Sequence, residues 1–213
     1  MAWLTRFASI GLLMALGACA TPDPEETPLA ELGNFKLANA VVRTEAARKV
    51  GPSRTIELEE MDRVLTDTLT RRFSRYAGDK PYHIGVFVDG YALAYPFGPI
   101  VLSPKSLLVV SVTVFENKDL RKLNDPPKEI YILEQLDGGT IFGSGYVRTK
   151  EQQLNNLANQ LALAVERYMA ANAEWFGGVS TPEAVAAAQA DQLEIPQATL
   201  PEAPSGTVTE ATN

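Results

Sequence analysis

The chain has 213 residues, with 19 basic and 26 acidic side chains for a formal net charge of −7 at pH 7, one cysteine and one histidine. That acidic balance argues against a nucleic-acid partner, since nothing would offset phosphate repulsion, and against broad electrostatic docking on anionic lipid. One cysteine forbids an internal disulfide, and one histidine without a cysteine partner cannot build a zinc site of usual composition.

The N-terminal stretch MAWLTRFASIGLLMALGA carries one charge, Arg6, and then runs uncharged from Phe7 to Ala18. Such a segment fits the apolar core of a secretory signal and is too short to span a bilayer. It ends in Leu16-Gly17-Ala18-Cys19. These four residues resemble the lipobox of bacterial lipoproteins: an apolar residue, two small residues, then cysteine. The resemblance implies that the Cys19 thiol is alkylated with diacylglycerol, that a signal peptidase removes residues 1–18, and that the new amine is acylated, commonly as a palmitate. Each buried methylene contributes about 0.8 kcal/mol, so two or more chains hold a protein firmly. Cys19 is then an attachment point and the mature chain has no free thiol.

Residues 19–34 follow as a tether, with Pro22, Pro24 and Pro28 interleaved with Asp23, Glu25 and Glu26. This composition predicts extended, solvated chain. About fifteen such residues reach at most ~50 Å. Position 20 is Ala rather than the Asp that retains enteric lipoproteins in the inner membrane, so the resemblance implies an outer-membrane anchor facing the periplasm.

Residues 35–176 read as a single α+β domain. Phe35–Thr44 is predicted as a strand. A helix follows, with Leu58, Met61, Leu65, Leu69, Phe73 and Tyr76 in one apolar stripe, acids in its first turn and Arg71, Arg72 and Arg75 near its last; the charges complement the helix dipole. Tyr82–Tyr95 is a long strand with a bulge at Asp89-Gly90, and Ser106–Glu116 is a second, rich in β-branched residues. Glu129–Leu136 is a third, with a hairpin signal at Asp137–Gly139 and a possible short return strand over 140–147. A long helix is predicted from Lys150 to Phe176. The order β-α-β-β-β-(β)-α predicts a mostly antiparallel sheet of about four to five strands with two helices on one face, and a crossover helix between the first two strands if these are neighbours.

Residues 177–213 contain no Lys or Arg. Ser180 or Thr181 can cap a short helix from Pro182, and the remainder reads as an acidic, low-complexity, largely disordered tail.

The element order is similar to that of small α+β domains of periplasmic lipoproteins that serve envelope machines. The segment GSGYVRTKEQQLNNLANQLALAVERYMAANAEWF is similar to the C-terminal part of small uncharacterised alphaproteobacterial lipoproteins. Neither resemblance carries a functional residue to this chain.

Chemistry is sparse. His83 would need a nucleophile and an orienting acid to act as a base, and Ser144 in GSG lacks the spacing of a nucleophile elbow. The chain carries no phosphate-binding loop and no metal-carboxylate cluster, so no catalytic residue, cofactor or metal is expected and the protein does not read as an enzyme. One stretch is unusual: Tyr91–Pro104 holds no charge but three prolines, three aromatics and an Ile-Val-Leu run. Tyr91, Tyr95, Phe97 and Ile100 are therefore candidate partner contacts, the competing reading being that the segment caps the core. The expected function is that of a lipid-anchored, non-catalytic accessory or interaction protein of the cell envelope, with the membrane as one partner and an envelope protein as a possible other. The alternative is a binding module for a lipid or other amphiphile in envelope lipid transport or assembly, and a hydrolase comes last.

Overall fold

The computed structural model describes residues 26–95, 106–134 and 148–193. Cys19, Phe97, Ile100, Ser144, the return strand over 140–147 and the chain beyond 193 lie outside these residues.

Among the described residues, five strands form one mixed, mostly antiparallel sheet: β1 (Phe35–Arg43), β2 (Arg48–Lys49), β3 (Lys80–Ala92), β4 (Leu107–Glu116) and β5 (Lys128–Leu133). The sheet order is β1-β3-β4-β5, with the short β2 also paired to β3 beyond the end of β1. β1 and β3 run parallel and are joined through α1 (Leu58–Phe73), as a crossover requires. β3–β4 and β4–β5 are antiparallel. The expected bulge is present: the β3–β4 register shifts between Val88 and Gly90.

Alternation decides which face is covered. Ala40, Val42, Ile84, Val86, Val88, Val110, Val112, Val114, Ile130 and Ile132 are buried on one face. Against it lie α1 and α2 (Lys150–Ala170), which also pack on each other. Of the α1 stripe, Met61, Leu65, Leu69 and Phe73 are fully buried, Leu58 is half-buried at the helix start, and the half-buried Tyr76 lies just past the helix end. In α2, Leu154, Leu157, Leu161 and Val165 are buried, and the row Ala158, Ala162 presents small side chains that let α1 approach. Thr149 and Gln152 form a reciprocal capping box at the start of α2.

The long C-terminal helix is shorter than predicted. α2 ends at Ala170, and a 3₁₀ turn covers Ala173–Phe176. Asn172 explains the break, because its side-chain amide donates to the Tyr168 carbonyl at 2.8 Å and so competes for helix backbone. Gly177 then caps the turn with φ +77°. A third helix, α3 (Pro182–Leu193), is capped by Thr181, whose hydroxyl accepts from the Ala184 amide at 3.1 Å. It packs on α2 and β5, so the folded body continues past residue 176.

The other boundary moves as well. Residues 27–34, expected as tether, lie against the domain as a strap. Leu32 is buried. Gly33 bridges Gly177, and the Asn34 amide donates to the Phe176 carbonyl at 2.9 Å. Glycine is required at this crossing: a Cβ on Gly33, whose φ is +85°, would sit 2.5 Å from the Gly178 nitrogen.

Candidate functional site

The strap is held by a buried charge cluster between the helices. Arg72 is 0% exposed. Its guanidinium forms a bidentate pair with Glu166 of α2, with Nε 3.1 Å from Oε1 and Nη2 on Oε2. The remaining donors reach the strap: Nη1 donates to the Thr27 carbonyl at 2.7 Å and Nη2 to the Pro28 carbonyl at 2.8 Å. The Ala30 amide in turn donates to Glu166. The Tyr76 hydroxyl lies within bonding distance of both Glu166 and the Ala30 carbonyl. Burial, and then the hydrogen bond to Glu166, push the Tyr76 phenol far above its usual range, so it stays a donor. Arg75 adds a bond to the Thr27 carbonyl at 3.2 Å. Planar, multiply donating arginine suits this task, because one side chain ties two helices and a strand of backbone together.

Aromatic packing continues the clasp. Phe35, at the end of the strap, is stacked on Tyr82 and meets Phe73, Tyr76 and Phe176 edge-on.

Sequence reading assigned Arg72 to the helix dipole and missed the pair. A signal existed. Position 72 lies three residues after Leu69 and seven after Leu65, on the flank of the apolar stripe, and Glu166 continues the row Ala158, Ala162.

A second buried pair sits elsewhere, where Glu134 accepts from Arg148 at 2.7 Å and from the Ser106 amide. Arg54 donates to the Arg148 carbonyl at 2.8 Å.

The remaining candidates separate. Tyr91 is 4% exposed and pairs with Leu108 on the core side of the sheet. It is a core residue and not a surface contact, because the bulge at Asp89 returns it to the covered face. Tyr95 is exposed. His83 lies on the sheet face away from the helices, with Nε2 2.8 Å from the Asn117 side-chain oxygen. On that face Phe87 is 53% exposed, which the core alternation of Ile84, Val86 and Val88 already implied. Among the described residues, no group of three or more His, Cys, Asp or Glu is placed to hold a metal. Among them, too, no helix is long and apolar enough to cross a membrane. An open groove of about 620 Å³ between α1 and α2 is lined by charges of both signs, including Glu60, Arg63, Asp67, Arg71 and Glu151.

No protein-family model matches the chain, and no curated protein sequence matches it. Its fold has distant likenesses among solved structures. A protein designated a putative lipoprotein from Caulobacter crescentus aligns over 61% of this chain and 89% of its own, at 12% identity and a TM-score of 0.34. A hypothetical protein of Chlamydia trachomatis aligns over 65% of this chain and 98% of its own, at 12% identity and a TM-score of 0.31.

Proposed function

We propose that the chain is a lipid-anchored accessory protein of the bacterial cell envelope, attached through Cys19, facing the periplasm from the outer membrane, and acting by contact rather than by catalysis. The observation that carries this reading is the joint between the lipobox and the fold. Cys19 is followed by only seven residues before Thr27, where Arg72 and Arg75 take the backbone. A leash of that length reaches at most about 25–30 Å, half of what the whole segment to Asn34 would allow. The domain is thereby kept beside its membrane, where weak contacts suffice because the anchor raises local concentration.

Tyr95, with Phe97 and Ile100 after it in sequence, supplies the contact to an envelope protein partner. Aromatic side chains bring large contact area with few rotors to freeze. Photo-cross-linking tests this in cells. A benzophenone amino acid at Tyr95 is expected to trap one defined envelope protein, and the adduct is expected to disappear when Cys19 is replaced by Ser. Trapping with no dependence on Cys19, or no adduct at Tyr95, Phe97 or Ile100, would contradict the reading. Cross-linking to lipid alone would favour an amphiphile-binding module instead.

A further inference from the structure

We infer that the end of the domain from which the strap emerges rests on the anchoring bilayer, with Leu120 and Val179 entering its interfacial layer. The inference rests on the Cys19 anchor proposed above and adds a surface to it.

Three observations meet at one end of the molecule. The first is topological. β1 and β3 run parallel, so both begin at this end, where α1 finishes and Gly78 donates to the Phe35 carbonyl. β4 is antiparallel to β3, so it finishes here, with the Asn117 amide donating to the Pro81 carbonyl. The turn after β4 and the Gly177-Gly178 crossing over Leu32 therefore share this end with the strap.

The second is exposure. Leu120, on the return side of that turn, is 62% exposed, and Val179 just after the crossing is 78% exposed. They are the most exposed large aliphatic side chains among the described residues. Leu120 also has φ +49°, a left-handed conformation that glycine or asparagine adopts far more readily. An exposed leucine in a conformation that disfavours leucine gains nothing for the fold. A local rule broken without benefit to packing points to a contact outside the chain.

The third is the setting of Leu120. Lys118 and Lys122 flank it and are exposed, and the closing hydrogen bond of the turn, from the Glu116 amide to the Arg121 carbonyl at 2.9 Å, holds the tip out. Arg121 is paired with Glu116 and Asp119 adds an acid, so net charge here is small. Apolar side chains enter the acyl boundary while lysine stems extend to the phosphates, which is the pattern of interfacial anchoring. Shallow insertion of two aliphatic side chains is weak by itself and becomes effective only because the lipid holds the domain in place.

The test uses the full lipidated chain, purified from cells and reconstituted in vesicles of phosphatidylethanolamine and phosphatidylglycerol. Because Cys19 is acylated, single thiols introduced as Leu120→Cys, Val179→Cys, Phe87→Cys and Glu45→Cys can each carry an environment-sensitive fluorophore. Quenching by lipids bearing a nitroxide on the acyl chain is expected to be several-fold stronger at 120 and 179 than at 45, which lies beyond the far end of β1, and than at 87 on the open sheet face. Equal quenching at 120 and 45, or stronger quenching at 87, would overturn the inference while leaving the anchor intact. Failure of the protein to float with the vesicles would overturn the anchor and this surface together.

Discussion

Arg72 and Glu166, 94 residues apart in sequence, join α1 to α2 as a bidentate ion pair shielded from solvent. Desolvating two charges costs several kcal/mol, and their attraction with added hydrogen bonds offsets that cost only when every donor is used. Here the strap adds two acceptors, the carbonyls of Thr27 and Pro28. The pair therefore fixes where the N-terminal segment meets the domain.

Removing one partner should be far worse than removing both. Glu166→Ala is expected to lose about 3–5 kcal/mol in urea unfolding, because a guanidinium stays buried without its carboxylate. The double variant Arg72→Met with Glu166→Leu should regain more than half of that loss. A single variant within about 1 kcal/mol of wild type would show that the pair is as inexpensive as a surface ion pair.

The strap depends on backbone contact at Gly33. Gly33→Val places a Cβ against the Gly178 backbone and a β-branched residue at positive φ. It should cost at least about 2 kcal/mol, the scale of a forbidden backbone conformation compounded by a clash. Limited proteolysis reads the consequence: cleavage between residues 27 and 34 should be slow in wild type and rapid in the variant. Equal cleavage rates would mean that the strap is not clasped.

Much of this is legible in the sequence. The stripes of α1 and α2, the three long strands and the bulge at Asp89 follow from periodicity, which reports burial directly. The strap did not. Beyond the buried Leu32, its grip comes from backbone carbonyls and two glycines, and neither leaves a side-chain pattern. Pro28 looks like solvated tether because its side chain is exposed, while it is its carbonyl that is used. Arg72 is visible as a helix-terminal cation, and its place on the flank of the α1 stripe, with the row Ala158, Ala162, Glu166 on the opposing helix, hints that it turns inward. Tyr91 was misplaced because a bulge shifts every later residue of a strand to the other face. The contact reading of Tyr95 rests on its exposure alone.

Alkaline pH should expose the buried tyrosines. Burial pushes the Tyr168 phenol up to about 12, against about 10 in the unfolded chain. A raised folded-state value contributes stability that is complete below pH 10 and is lost as pH rises from there toward 12. Tyr76 and Tyr82 shift in the same direction, burial being the first cause in each. Denaturation midpoints measured between pH 8 and 11 should thus be flat to about pH 10 and then fall. The fall should be shallower in Tyr168→Phe; an identical slope would place that phenol in water.

The two C-terminal truncations should differ. Removing residues 194–213 takes away a segment poor in apolar side chains and should leave the thermal midpoint within about 2 °C. Removing 179–213 also deletes α3, which packs on α2 and β5, and frees the Ala173 amide that donates to Ser180 at 3.0 Å. A loss of roughly 1–2 kcal/mol, or about 2–8 °C for a domain of this size, is expected. Equal midpoints would mean that α3 contributes nothing.

The account stands on Cys19 as the attachment point, and intact-mass spectrometry of the chain extracted from membranes tests it most directly. The predicted mass begins at Cys19 and exceeds the polypeptide by a diacylglycerol and an amide-linked acyl chain, and Cys19→Ser abolishes both the cleavage and the added mass. A chain beginning at any other residue, or one beginning at Cys19 with a free thiol, would contradict the account.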